Sequence, residues 1–531
     1  MPAMRMRRRR TGTIAAVGVL AAAICSGFVG SSSASPKPTT IELETATIQQ
    51  LHGLFASHKL TAVALSKMYL QRISELNSQG PSLNAVRIIN PDWQKQAAKV
   101  DELSAHHVDL GPMMGIPVLV KDNIDVQGLP TPAGSVALAN SYPATDAPVI
   151  KQLKAAGAII LGKANLAEFA YYTTSTAPNG YSSLGGQVLN PYDAALNPGG
   201  SSSGSAAAMA VGMAAGTVGS DTGGSILQPS NNMSDIGVRP TVGLLSRSGV
   251  VPISATNDTT GPITHTVWDA AAMLTAMTTG VDPGDPATAT AGKYDSTDYT
   301  KALSSTALEG ARLGYVAAAA PDPLYDAALQ ALRDQGATLV PVDLSAANLP
   351  TRVWDYEFKK DLNSYLGKLP ASDKVRSLAD VIAYNKTHAN VALKFGETLL
   401  EGAQAINVDD PATAASYEAL RVAGLSGAQS RIDTTLKNNN LTAIVFAGQS
   451  GNTIVTRAAY PAVMMRAGYQ DGTRHPEGLE MIGTAYSEAT LLGYAYDYEQ
   501  ATHLWQPPSV VNPTLFRCVG AQAQRSASCP P

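Results

Sequence analysis

Cysteine is nearly absent from this 531-residue chain, with Cys25 close to the start and Cys518 and Cys529 close to the end. The eight histidines are scattered and none stands at metal-ligand spacing, so neither a metal centre nor any other cofactor is expected. Charge is sparse too: charged residues make up 15%, the formal net charge is −4, and no basic stretch follows the first ten residues. That balance argues against nucleic acid as a partner. Beyond the leader no apolar run is long and continuous enough to span a bilayer, so no stable membrane association is expected once the leader is gone. Hydrophobic residues at 45% exclude a disordered chain. There is no internal repeat and no clear interdomain linker. The polar stretch 280–300 comes nearest to one and reads as a surface excursion. Length alone would suggest about three or four domains.

The first 34 residues carry a recognisable order. Basic residues fill Arg5 to Arg10, an apolar stretch runs from Ile14 to about Val29, and small residues lead to Ala34. This is the pattern of a secretory signal peptide cleaved after Ala34, which predicts a secreted protein. In an oxidising compartment Cys518 and Cys529 are candidates for a small disulfide in the C-terminal extension, residues 506–531.

Further on, Thr47-Ile48-Gln49-Gln50 offers a capping-box helix start, followed by Leu51, Leu54 and Phe55 at helical spacing. A second helix is predicted from Thr61 to about Asn77. From Gly115 onward, GIPVLV, GAIILG, ARLGYV, ATLVPV and TAIVFA read as buried strands, alternating with helical stretches such as 146–157 and 325–335. The alternation predicts an α/β fold with a mostly buried sheet.

Residues 199–210, GGSSSGSAAAMA, look like a flexible linker. Gly200-Ser201-Ser202-Ser203-Gly204 also satisfies G-x-S-x-G, the nucleophile elbow. An elbow requires a buried strand just before it, whereas LGGQVLNPYDAALNP is turn-rich, and none of His265, His388, His475 or His503 is marked by context as its base. A third reading fits better. Residues 204–214 form a small-residue helix that advances about 16 Å, and AGTVGSD returns about the same distance as a strand. Ser201 and Ser225 can then sit side by side, with the glycines of Asp221-Thr222-Gly223-Gly224-Ser225 letting backbone N–H groups converge on an oxyanion. A serine hydrolase without histidine needs another base. Lys121, at the edge of the apolar run in GIPVLVKDNIDVQG, serves if desolvation keeps its amine neutral.

These segments together resemble the amidase signature family: GIPVLVKDNIDVQG its lysine segment, GGSSSGSA its Gly/Ser segment and SDTGGSILQP its nucleophile segment. The separations, 80 residues from Lys121 to Ser201 and 24 from Ser201 to Ser225, also fit. NPGGSSSGSA and VGLLSRSGVVPIS resemble the peptide-amidase-like branch. The resemblance implies one amidase-signature domain over about residues 35–505, core about 110–275, built on a large mixed sheet flanked by helices. It implies Ser225 as nucleophile, Ser201 on a cis peptide as the relay, Lys121 as base, and the N–H groups of Thr222, Gly223, Gly224 and Ser225 as the oxyanion hole. Ser202 is expected to hydrogen-bond Lys121, and Asp221 to brace the loop. The substrate implied is a small-molecule or peptide amide, cleaved to acid and ammonia through an acyl-enzyme. Ester or anilide hydrolysis, a non-catalytic binding role on the same scaffold and a tRNA-amidating subunit are the alternatives.

The chain departs from the family pattern in places. Ser203 stands where glycine is more common, Leu227 where arginine is common, and Arg466 where proline is usual; Ser230 to Asp235 is unusually polar. These differences bear on the expected acyl-pocket preference.

Overall fold

Thr47 begins the first helix as its sequence predicts. Its side chain accepts from Gln50 N, and the Gln50 side chain accepts from Thr47 N, closing a capping box ahead of Ile48–Ala56. Thr61 caps the second helix, Ala62–Asn77, which buries Leu65, Tyr69, Ile73 and Leu76. The computed structural model describes residues 41–513, which belong to one unit. The signal-peptide segment and the Cys518–Cys529 pair lie outside the described residues.

Eleven strands form one mixed sheet: β1 (Val86–Ile89), β2 (Pro117–Lys121), β3 (Ile159–Ala164), β4 (Gly216–Asp221), β5 (Ile236–Arg239), β6 (Thr259–Thr264), β7 (Arg312–Tyr315), β8 (Thr338–Pro341), β9 (Ala443–Ala447), β10 (Ala462–Tyr469) and β11 (Pro476–Ile482). Their order is β1-β3-β2-β4-β6-β5-β10-β11-β9-β7-β8. All five strands expected from apolar runs are present, as β2, β3, β7, β8 and β9, but β8 lies at the edge of the sheet and is half-exposed, not buried as expected. The helical stretches 146–157 and 325–335 appear as Pro148–Ala155 and Pro323–Asp334. The polar stretch 280–300 carries short 3-10 turns that bury Thr288, Ala291 and Tyr299, so it packs against the body of the unit.

Three features position the site. First, β2 pairs in parallel with both β3 and β4, so the C-terminal ends of all three strands reach one edge of the sheet. Second, the helix Ser203–Ala210 precedes β4 and starts at that same edge; the Ser205 hydroxyl donates to the Val218 carbonyl at 3.1 Å. This helix is shorter than the predicted 204–214, since a turn at Val211 and Gly212 ends it. Its small side chains let it lie close: a Cβ on Gly204 would stand 2.3 Å from the Asn165 carbonyl oxygen and 2.4 Å from that of Ala85. Third, a second apolar cluster built from Phe358, Leu362, Leu366, Leu378, Val381 and Leu400 packs on Phe169 and Tyr172. That cluster brings Trp354 towards the nucleophile segment. Among the described residues no helix is long and apolar enough to cross a membrane, and no His/Cys/Asp/Glu group has a metal-binding arrangement.

Candidate active site

Lys121 ends β2 with a side chain fully removed from solvent. Its Nζ lies 2.8 Å from Ser201 Oγ, 2.9 Å from Ser220 Oγ and 3.1 Å from the Ser220 carbonyl oxygen. A neutral amine has two N–H groups and one lone pair. With the N–H groups given to the two Ser220 oxygens, the lone pair faces the Ser201 hydroxyl. Burial lowers the Lys121 pKa to about 7, while the charges of Asp221 and Asp258 pull it back upward. The amine is therefore available as a base near neutral pH. Asn123 Nδ2 donates to Ser220 Oγ at 3.0 Å and fixes that hydroxyl.

The Gly200–Ser201 peptide is cis, as the resemblance implies for this position. Just after it, Ser202 N–H donates to the Ser225 carbonyl at 3.2 Å, which joins the Gly/Ser segment to the segment around Ser225. The two serines expected to meet are thus carried on backbones that touch. Ser203, the departure from glycine, donates from its hydroxyl to the Gly199 carbonyl at 2.5 Å and closes the turn. Ser202 does not reach Lys121 as expected. Its hydroxyl donates to the Ser220 carbonyl at 3.1 Å and accepts from Ser220 N at 3.3 Å, so Ser220 takes the place beside the lysine that was assigned to Ser202.

Asp221 does brace the loop. Its Oδ1 accepts from Gly224 N at 2.9 Å and its Oδ2 from Ile226 N at 2.7 Å, while Arg239 Nη1 pairs with Oδ1 at 2.5 Å, both side chains being fully buried. This corrects one element of the expected oxyanion hole: the Gly224 N–H is engaged by the Asp221 carboxylate. The N–H groups of Thr222, Gly223 and Ser225 have no acceptor among the described residues. Gly224 itself sits at φ +109, with Asn452 Nδ2 only 2.4 Å from where a Cβ would stand. Thr222 Oγ1 donates to Asp258 Oδ1 at 2.6 Å, and burial raises the Asp258 pKa to about 6.

The other departures prove to be matters of packing. Leu227 is fully buried in an apolar cluster with Ile444, Phe446 and Ile454. Arg466 forms an ion pair with Glu499 at 3.6 Å and donates to the carbonyls of Ser234 and His265, lying over Trp505. Within the polar 230–235 segment, Asn231 accepts from Gly478 N, Asn232 donates to the Asn197 carbonyl and Ser234 meets Tyr469. No histidine serves these serines. His265 is buried against Trp505, His388 stacks on Tyr384, His475 pairs with Glu477, and His503 closes the C-terminus of the helix Glu488–Thr502. The elbow and linker readings of residues 199–210 therefore fail.

Sequence reasoning missed Ser220, Asn123, Asp258 and Arg239. Ser220 adjoins the motif, and its place beside the lysine follows from the parallel β2–β4 pairing. The other three carry no local signal. Arg352, Trp354 and Asn452, which crowd Gly223 and Gly224, come from more than a hundred residues downstream and were likewise missed.

Comparison with known proteins agrees with this geometry. The amidase family model matches residues 64–404. A probable amidase of Arabidopsis thaliana is 38% identical over 499 residues, covering 91% of this chain and 95% of the relative. The native peptide amidase of Stenotrophomonas maltophilia superposes with a TM-score of 0.81 at 37% identity, over 87% of this chain and 98% of that one. An amidase family protein from Bacillus anthracis gives 0.84 at 34% identity, over 88% and 93%. A buried lysine–serine network at the end of a mixed sheet, together with matches of this extent, shows that the chain belongs to the amidase signature family and is an amide-hydrolysing enzyme.

Proposed function

We propose that this amidase is exported, loses residues 1–34, and hydrolyses linear carboxamides, C-terminal peptide amides among them, to carboxylic acid and ammonia through an acyl-enzyme on Ser225. The observation that carries the mechanism is the contact between Lys121 Nζ and Ser201 Oγ, 2.8 Å apart. As Ser225 Oγ attacks the amide carbonyl, its proton passes to Ser201 Oγ while Ser201 gives its own to Lys121. The oxyanion is received by the N–H groups left open at Thr222, Gly223 and Ser225. The proton then returns through Ser201 to the leaving nitrogen, ammonia departs, and water attacks the acyl-enzyme by the same relay. The likeness to a peptide amidase supports a peptide amide as substrate. An ester or anilide presents the same carbonyl and fits the same relay.

The test is ammonia release from a panel of peptide amides and simple aliphatic and aromatic amides, by wild type and by Ser225→Ala. Release by the wild type and none by the variant is expected. Undiminished release by Ser225→Ala, or labelling of Ser201 in place of Ser225 by an acyl phosphonate, would overturn the assignment.

A further inference from the structure

A guanidinium without a carboxylate partner stands beside the nucleophile loop. Arg352 Nη2 donates to Thr456 Oγ1 at 2.7 Å and to the Thr453 carbonyl at 3.4 Å. The guanidinium lies over the Trp354 ring, 4.3 Å from its centroid, and Trp354 is fixed in turn by Nε1 donating to Asn257 Oδ1 at 2.9 Å. So anchored, Arg352 Nη1 comes within 2.9 Å of the point where a Cβ on residue 223 would stand. Gly223 is the exposed residue of the loop, so this nitrogen stands at the loop's solvent-accessible side.

The charge is unbalanced. Among the described residues Arg352 has no carboxylate within ion-pair distance, its Nε is buried with no acceptor, and its Nη1 has none either. Arg239 spends its charge on Asp221, and Arg457 binds only the Pro350 carbonyl. Burial, then the nearby Arg457 and Arg239, lower the Arg352 pKa to about 10, which leaves it charged at neutral pH. A partly desolvated cation with open N–H groups is unfavourable unless an anion completes it. Guanidinium geometry suits a carboxylate in particular.

We infer that Arg352 is a specificity-determining residue that receives a carboxylate of the substrate, so that the preferred substrates are carboxamides bearing a carboxylate close to the scissile carbonyl. The inference rests on the reading of Ser225 as nucleophile, since it is the Ser225 loop that Arg352 covers. Had Arg352 instead served the oxyanion, it would favour every amide alike.

The experiment compares N-acetyl-glutamic acid α-amide with the similarly sized, neutral N-acetyl-methionine amide. The kcat/KM ratio of the anionic to the neutral amide is expected to exceed one in the wild type. In Arg352→Gln it should fall by about tenfold or more, chiefly through KM, as expected for losing a hydrogen-bonded charge. Arg352→Lys should restore part of it. A ratio unchanged by Arg352→Gln, with both substrates losing kcat together, would overturn the inference. Binding supplies a readout independent of turnover: Ser225→Ala should bind the anionic amide more tightly than the neutral one, and adding Arg352→Gln should abolish the difference. Equal binding would also overturn the inference. Loss of turnover by the wild type with the binding preference intact would instead count against the proposed reaction.

Discussion

At Lys121 the competition between burial and nearby charge is decided by burial, and its pKa of about 7 falls inside the range an assay can scan. The relay needs the neutral amine. The rate should therefore fall by about tenfold per pH unit below pH 6 and level off above pH 8; a flat profile from pH 5 to 9 would refute the lysine base. The same group affects stability. Its folded pKa lies below its unfolded value of about 10.5, so between about pH 7 and pH 10.5 the unfolded chain binds more protons and stability rises with pH. Lys121→Met should accordingly be inactive, and should raise the melting temperature by a margin that widens as pH falls from 10 to 7. Ser220→Ala removes one acceptor from the amine. Because that acceptor favours the charged form more than the neutral one, kcat should drop by about tenfold and the acid limb of the pH profile should shift to lower pH. Ser202→Ala should leave that limb in place, because the Ser202 hydroxyl bonds only the Ser220 backbone.

At the scale of the element, the turn from β4 into the helix Leu227–Met233 is held by one buried ion pair. Asp221 ties down the N–H groups of Gly224 and Ile226 while Arg239, at the end of β5 on the far side of β6, neutralises it and also donates to the Asn257 carbonyl at 2.9 Å. Removing one partner leaves the other charge buried and uncompensated. Asp221→Ala should therefore cost about 3–5 kcal/mol of unfolding free energy and most of the activity. Asp221→Ala combined with Arg239→Met should recover part of the stability and none of the rate, with urea unfolding and ammonia release as the two readouts. A double variant no more stable than the single would show that the pair is not what holds the turn.

For the whole molecule, the main core takes in Leu43, Ala46 and Ile48, all of which follow the proposed cleavage point. A chain beginning at Ser35 should thus match the full chain in activity and melting temperature. Mass spectrometry of protein from the culture medium should find an N-terminus at Ser35. Retention of the whole chain in the cell pellet would contradict the proposed export.

How much could be read in advance follows from the range of the forces involved. The sequence by itself determined the five apolar strands and the two capped helices and pointed to Lys121, Ser201, Ser225 and Asp221 as candidate site residues, because each of these announces itself locally, through an apolar run, a side chain that caps its own helix, or a glycine-rich loop. Strands such as β5 and β6 escaped notice. The run TTGPIT carries a proline and a glycine that argue against a central strand, yet it is buried throughout and pairs with β4 and β5. Only the tertiary structure decided that Ser220 and not Ser202 sits beside Lys121, that Asp221 takes up the Gly224 N–H, and that Leu227 and Arg466 belong to the packing. It alone placed Arg352, Trp354 and Asn452 against the glycines before Ser225. The physical reason is that which atom of a serine faces an amine depends on strand register and helix docking. Those are set by burial summed over the whole sheet, and no stretch of neighbouring residues contains that sum.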